Sequence, residues 1–166
     1  MHCHRNSGIS DRGEIAVYGN HRWPFALIAR TRKPLEYEPW TRKHLLCSLA
    51  PFSKFLVGAA LRTREGKIFK GCNIESASYG LTVCAERVAI WKALSECERD
   101  FTDLVIVVDT EALTPPCGTC RQIIWEYCKD AKITLANLKG QSEEVDIRDL
   151  LPKAFDARFL ADTNRT

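Results

Sequence analysis

Three cysteines and one glutamate have the spacing of a metal site. Cys84 precedes Glu86 by two residues, and Cys117 and Cys120 form a Cys-x-x-Cys pair directly after Pro116. Zinc readily takes thiolate ligands. A structural zinc site fills four positions with protein ligands, whereas a catalytic site keeps the fourth position for water. We therefore predict a catalytic zinc site with Cys84, Cys117 and Cys120 as ligands, in which Glu86 faces the attacking water without binding the metal.

The charge of such a site sets a second expectation. Three thiolates and Zn²⁺ sum to −1, which makes the metal a weaker Lewis acid than one held by neutral histidines. Helix N-termini at Cys84 and at Cys117 would offset this charge, because their free N–H groups favour anions. Arg87 is a candidate for donating a hydrogen bond to a thiolate, with an ordinary helix salt bridge as the alternative. Arg121 is a second candidate for that role.

Hydrophobic patterning predicts the elements that position these residues. Strands are predicted at residues 55–62, 67–74, 101–109, 133–137 and 144–146, and helices at 84–97 and 117–129. Gly66 falls in the turn between the first two strands, which form a hairpin. The apolar run at 104–108 is typical of a strand covered on both faces. The order β-β-α-β-α-β-β predicts a three-layer α/β/α domain with a mixed five-stranded sheet.

Length and charge limit the classes of protein that fit. The chain has 166 residues, enough for one domain of ordinary size. Residues 1–44 are irregular and carry eight Lys or Arg against four acids, so we interpret them as an N-terminal extension. Residues 45–166, the predicted catalytic domain, carry sixteen against seventeen and lack the basic surplus of a nucleic-acid-binding protein. With neither a membrane-length apolar run nor a secretory signal, we expect a soluble cytoplasmic protein.

Five motifs occur in the order that a known family shows. They are Phe55-x-Val-Gly-Ala-Ala-Leu, Gly71-Cys-Asn-Ile-Glu, Cys84-Ala-Glu-Arg, Pro116-Cys-Gly-x-Cys-Arg-Gln and Leu150-Leu-Pro-x-Ala-Phe. Together they closely resemble the small all-cysteine zinc cytidine deaminases over roughly residues 50 to 160. The resemblance implies a cytidine deaminase-like fold and one zinc ion per subunit. It also implies hydrolysis of cytidine or deoxycytidine to uridine or deoxyuridine and ammonia, in pyrimidine salvage.

The resemblance also assigns residues to the reaction and to the substrate. Glu86 would act as general base and then as general acid. Asn73 and Glu75 resemble the residues that bind the sugar hydroxyls, and Phe55 one that packs on the base, while the backbone at Ala85 would meet the base edge. Phe155 matches an aromatic residue that reaches the active site of a neighbouring subunit. This implies a homotetramer with shared active sites.

The chain departs from the family at a few positions. Residues 1–44 do not resemble the family, and Pro39 is expected to interrupt a longer helix before the first strand. Cys97 and Lys153 stand where the family usually has glycine. Off the zinc pattern, we interpret Cys72, Cys97 and Cys128 as buried small hydrophobic residues.

Other functions remain open from the residues alone. One is deamination of a modified nucleoside such as blasticidin S, and another is deamination of a polynucleotide. A non-enzymatic alternative makes Cys117 and Cys120 part of a structural zinc knuckle or a redox pair. A free nucleoside is favoured over a polynucleotide, because Glu75 can accept from a 3′-OH that a phosphodiester lacks.

Overall fold

Five strands form one mixed sheet in the computed structural model, which describes residues 38–161. The strands are β1 (Val57–Thr63), β2 (Ile68–Cys72), β3 (Phe101–Val108), β4 (Lys132–Asn137) and β5 (Ser142–Val145). Their order is β2-β1-β3-β4-β5, with β3 and β4 parallel and the other pairs antiparallel. The helices are α1 (Glu38–Leu45), α2 (Ala85–Ser95), α3 (Gly118–Cys128), α4 (Ile147–Leu150) and α5 (Arg158–Ala161). In this part of the chain no helix has the length and apolar character to cross a membrane.

Two glycines let a helix approach the sheet closely on each face. A Cβ added to Gly58 would lie 2.4 Å from the carbonyl oxygen of Thr41 in α1. A Cβ added to Gly71 would lie 2.1 Å from the carbonyl oxygen of Ala85 in α2. Gly71 is paired with Ala59, the residue after Gly58, so the two glycines point to opposite faces. The predicted mixed five-stranded sheet with flanking helices is confirmed.

β3 is the buried centre of the sheet. Its residues 104–108 are each at most 2% exposed. Leu104, Ile106 and Val108 belong to the core under α2 and α3, whereas Val105 and Val107 pack with Leu45 of α1 on the other face. Successive side chains of β3 thus point to opposite faces of the sheet and contribute to two separate hydrophobic cores. The prediction of a strand covered on both faces is confirmed.

α1 forms despite Pro39. Proline is the second residue of this helix, where the missing N–H has no intrahelical partner to lose, so the helix continues to Leu45. The expectation that Pro39 interrupts a longer helix concerns residues before Glu38, which lie outside the described residues, so it stays a prediction. The predicted boundary between 44 and 45 lies at the end of α1. Because residues 1–37 lie outside the described residues, the N-terminal extension stays a prediction.

Cys97 is not the buried residue that the sequence suggested. It is exposed and has a φ of 64°, in the left-handed region. Its N–H donates to the carbonyl of Leu94, and the N–H of Glu98 donates to that of Ala93, which closes α2 with a Schellman motif. Glycine suits this position because it has no Cβ to clash. Lys153, the other position expected to be glycine, has a φ of 58°.

Replacing Cys97 by glycine should stabilise the fold. The left-handed conformation costs a non-glycine residue about 1–2 kcal/mol. Glycine also makes the unfolded chain more flexible, which stabilises the unfolded state and offsets about 0.4–1 kcal/mol of this gain. The free energy of unfolding, measured in urea at equal metal content, should therefore rise by up to about 1 kcal/mol. Cys97→Ala is the control, since it removes the thiol and keeps the strained backbone; equal stability of the two variants would contradict the argument.

Candidate active site

The three predicted metal ligands meet at the N-termini of two helices. Cys84 is the N-cap residue of α2, Cys117 is the N-cap residue of α3, and Cys120 lies in the first turn of α3. Their sulfurs all lie within 4.8 Å of one another, and those of Cys84 and Cys117 are 3.8 Å apart. Two thiolates bound to a tetrahedral zinc at about 2.3 Å are roughly 3.8 Å apart, whereas disulfide sulfurs are about 2.05 Å apart. The spacing fits zinc.

The donor set is that of a catalytic site. Among residues 38–161, these cysteines are the one group of three or more His, Cys, Asp or Glu side chains arranged to hold a metal. In that range no fourth side chain of these types joins them, and three protein ligands are typical of a catalytic zinc site. Cys128 is buried in the core, as predicted, and Cys72 is partly buried.

Hydrogen bonds within the cluster distinguish its thiols. The pKa of Cys84 is lowered to about 5, first by the hydrogen bond from Cys120 and then by the guanidinium of Arg87. The pKa of Cys120 is raised, because its S–H donates to Cys84 and because the sulfur is buried. Metal binding displaces thiol protons, since zinc is held by thiolates. The N-termini of α2 and α3 both stabilise the negative charge that results.

Arg87 lies against the cluster. Its Nη2 donates to the carbonyl oxygen of Thr82 at 2.9 Å and lies 3.9 Å from the sulfur of Cys84. The guanidinium also sits 5.5 Å from the ring centre of Trp91, one helical turn further on. Neither Thr82 nor Trp91 was predicted as a neighbour of Arg87. For Trp91 the available signal was the four-residue spacing on one helix.

Arg121 does not take the role that we suggested beside the thiolates. Its Nε donates to the carbonyl oxygen of Pro116 at 2.8 Å, and its Nη1 donates to that of Leu150 at 2.9 Å. Because it follows Cys120 by one residue, its side chain leaves the helix about 100° away from the sulfur. Arg121 therefore connects α3 to Leu150, the last residue of α4.

Glu86 is buried beside the sulfurs. It is the second residue of α2 and is 4% exposed. Its carboxyl oxygen Oε2 is buried and has no hydrogen-bond partner within the described residues. Burial, and then the charge on Cys84, raise the pKa of Glu86. A buried carboxyl with an unpaired oxygen is placed to exchange a proton with a molecule bound at the cluster.

The side chain of Asn73 is hydrogen-bonded to the backbone of the segment that contains Phe55. Its Oδ1 accepts from the N–H of Val57 at 2.9 Å, and its Nδ2 donates to the carbonyl of Phe55 at 2.7 Å. Asn73 is 7% exposed, so it is not a polar strand end facing water. Phe55 itself is 42% exposed.

Glu75 holds the turn at residues 51–54. Its Oε2 accepts from the N–H groups of Phe52 and Ser53, and its Oε1 accepts from the Ser53 hydroxyl. An open cleft of about 390 Å³ lies here, lined by Phe52, Ser53, Glu75, Tyr79 and Thr82. Because the Thr82 carbonyl also accepts from Arg87, this cleft lies next to the sulfur cluster.

The two remaining predicted contacts lie in different settings. Ala85 is fully buried between Cys84 and Glu86 at the start of α2. Phe155 is 56% exposed, and its carbonyl accepts from Nε2 of Gln122 in α3.

Comparison with known proteins identifies the family. A model of the cytidine and deoxycytidylate deaminase zinc-binding region matches residues 40–136. The cytidine deaminase of Halalkalibacterium halodurans is 50% identical over 113 residues, covering 68% of this chain and 86% of that protein. That of Sporosarcina psychrophila is 49% identical over 136 residues, covering 81% and 93%. A crystal structure of cytidine deaminase from Burkholderia pseudomallei superposes with a TM-score of 0.67 at 42% identity, over 69% of this chain and 93% of that one. The chain therefore belongs to the cytidine deaminase family, as a zinc-dependent enzyme with three cysteine ligands.

Proposed function

We propose that this cytidine deaminase acts on free nucleosides, converting cytidine and deoxycytidine to uridine and deoxyuridine with release of ammonia. The observation that carries this proposal is the buried Glu86, whose Oε2 has no partner among the described residues, beside the three-sulfur zinc site. The direct test follows uridine and ammonia from cytidine with and without a chelator. Loss of both products on chelation and recovery with Zn²⁺ are expected; turnover that is unaffected by chelation would contradict the proposal.

Glu86 is the proposed proton carrier. Zinc, when bound, makes the attacking water acidic enough to react at neutral pH. Glu86 takes the proton of that water and passes it to N3 of the base, and a second proton goes to the departing amine. The C4–O bond forms, the C4–N bond breaks, and one water is consumed for each ammonia released. The raised pKa of Glu86, caused first by burial, suits a group that holds and then releases a proton.

Glu75 and Phe55 are the proposed contacts to the nucleoside. A carboxylate has about four acceptor positions, and the hydrogen bonds to Phe52 and Ser53 use three of those on Glu75. One position on Oε1 is left for a sugar hydroxyl, which supports a nucleoside with a free 3′-OH. Half-exposed Phe55, held by Asn73, supplies an apolar surface for the base, and the backbone of Ala85 would meet the base edge.

A homotetramer with shared active sites is the proposed assembly. Phe155 and Phe159 are both more than half exposed on the protomer, and Tyr79 and Leu81 are exposed by 77% and 70%. Large apolar side chains exposed together mark surfaces for association. A second copy of the chain would cover them, and Phe155 would then reach a neighbour's nucleoside. The pyrimidine-salvage role and the cytoplasmic location stay predictions.

The alternatives have less support. A structural zinc knuckle would need a fourth protein ligand, and residues 38–161 place none at the cluster. A redox pair of Cys117 and Cys120 would not explain why Cys84 and buried Glu86 lie beside it. Deamination of blasticidin S or of a polynucleotide stays an alternative to the proposed reaction.

Removal of one ligand should remove the metal. Cys84→Ser should lower the zinc content, measured by elemental analysis, well below one ion per subunit, because a neutral hydroxyl replaces a thiolate. Activity should fall with it. Cys47→Ser is the matched control, since Cys47 is exposed and outside the cluster. A Cys84→Ser protein with a full zinc content and wild-type affinity would show that Cys84 is not a ligand.

Glu86→Gln should separate proton transfer from metal binding. The amide keeps the size of the side chain but carries no exchangeable acid, so zinc content and fold should be retained. We expect kcat to fall by about 10²–10⁴-fold, the usual contribution of general acid–base catalysis. Glu96→Gln, an exposed residue at the end of the same helix, serves as control. If Glu86→Gln keeps more than about a tenth of wild-type kcat, Glu86 is not the proton carrier.

Mixing two impaired variants tests the shared site. Phe155→Ala subunits retain Glu86, and Glu86→Gln subunits retain Phe155. If Phe155 acts in a neighbour's site, mixed oligomers contain complete sites, and activity at low cytidine concentration should exceed the sum of the parents. Mixing by dissociation and reassociation is needed, with separately treated parents as controls. Activity that equals the sum would place Phe155 outside the neighbour's site.

A further inference from the structure

The segment that carries Phe155 is tied to the helix that carries two zinc ligands. We call residues 151–161 the Phe155 arm. Nε2 of Gln122 donates to the carbonyl of Phe155 at 2.8 Å, and Nη1 of Arg121 donates to that of Leu150 at 2.9 Å. Both donors follow Cys120 directly in α3. The backbone of the arm is therefore fixed, on entry and at Phe155, by the first turns of α3.

A single carboxylate anchors the arm just beyond Phe155. The side chain of Asp156 is only 17% exposed. Its Oδ2 accepts from the indole N–H of Trp125 in α3 at 3.3 Å, and its Oδ1 accepts from the backbone N–H of Arg158 at 3.0 Å. The guanidinium of Arg158 adds a hydrogen bond from Nε at 2.9 Å, and its Nη2 forms an ion pair with Oδ2 at 2.7 Å. Asp156 thus connects α3 to the start of α5.

The position of the Phe155 ring depends on this turn. The rings of Phe155 and Phe159 are stacked, with centres 5.7 Å apart and planes at 16°. Phe159 lies in α5, whose first residue is bonded to Asp156 through its N–H. The Asp156 bonds therefore tie the start of α5, and with it the stacking partner of Phe155, to α3.

We infer that Asp156 is a positioning residue for substrate binding, acting through Phe155 without touching the nucleoside. This inference rests on the proposed role of Phe155 in a neighbour's site. Asp156 holds the turn, the turn places α5, and α5 holds the ring of Phe155 through Phe159. Loss of the carboxylate should therefore weaken nucleoside binding while proton transfer at Glu86 continues.

The primary test measures KM and kcat for cytidine in zinc-loaded Asp156→Ala. We expect KM to rise about fivefold, from the loss of charge-assisted hydrogen bonds, with kcat within about twofold of wild type. Asp156→Asn keeps a hydrogen-bond acceptor, so its KM should lie between those of wild type and Asp156→Ala. Trp125→Phe removes the indole N–H together with part of the ring but leaves the Asp156–Arg158 bonds in place, so it should raise KM less. The inference can therefore be tested even if Asp156→Ala folds poorly.

Asp146 offers a matched control within the same chain. Its Oδ1 accepts from the N–H of Arg148 at 2.8 Å and from its Nη1 at 3.2 Å, the same Asp-x-Arg turn at the start of α4. Asp146→Ala should lose the hydrogen bonds of a similar turn, while its KM for cytidine should equal that of wild type. An equal rise of KM in Asp146→Ala would assign the effect to general loss of structure and overturn the inference.

A double variant separates the two proposals. In the Phe155→Ala background, Asp156→Ala should raise KM no further, because its effect passes through the missing ring. If Phe155→Ala raises KM and Asp156→Ala does not, or if the two effects multiply, the positioning role is wrong and the shared-site proposal stands. An unchanged KM in Phe155→Ala rejects the role of Phe155 in substrate binding, and the inference falls with it.

Discussion

The convergence of two helix N-termini on three sulfurs is the constraint on which the rest of the structure depends. A zinc ion with three thiolates carries a net negative charge, which would be costly in a partly buried site. Cys84 and Cys117 each cap a helix, so free N–H groups from α2 and from α3 face the same charge. Arg87 adds a full positive charge 3.9 Å from one sulfur. The site is therefore electrostatically compensated by backbone and side chain together.

The sheet determines that these helices begin at the same place. Gly71 in β2 lies so close to the carbonyl of Ala85 that any side chain there would displace the start of α2. On the other side, Pro115 and Pro116 keep the chain after β3 from becoming helical before Cys117. The ligands come from segments 33 residues apart, so a bound zinc would join the starts of α2 and α3. Metal binding in such a site contributes directly to the stability of the fold.

The sequence was most informative where chemistry restricts the choice of residue. The zinc ligands, the hairpin around Gly66 and the doubly covered β3 all follow from residue type and period, and the structure agrees with each. Features set by the direction of a side chain could not be predicted this way. Arg121 was assigned to the thiolates because it is adjacent to a ligand, yet helix geometry turns it toward two carbonyls. Cys97 was assigned to the core from its residue type, although the end of α2 requires a left-handed and exposed residue there.

In the proposed assembly, α3 connects the zinc site to the residue that would bind a neighbour's substrate. Cys120 and Trp125 are five residues apart, or about 7.5 Å along the helix axis at 1.5 Å per residue. Over that distance the helix bears a zinc ligand, the Gln122 bond to Phe155 and the Trp125 bond to Asp156. The attachment of the Phe155 arm is thus set by helix geometry relative to the metal site. In the proposed homotetramer, each Phe155 arm is attached to the zinc-binding helix of its own subunit and would enter the active site of a neighbour. The position of one subunit's zinc site would therefore determine the nucleoside contacts in the next subunit.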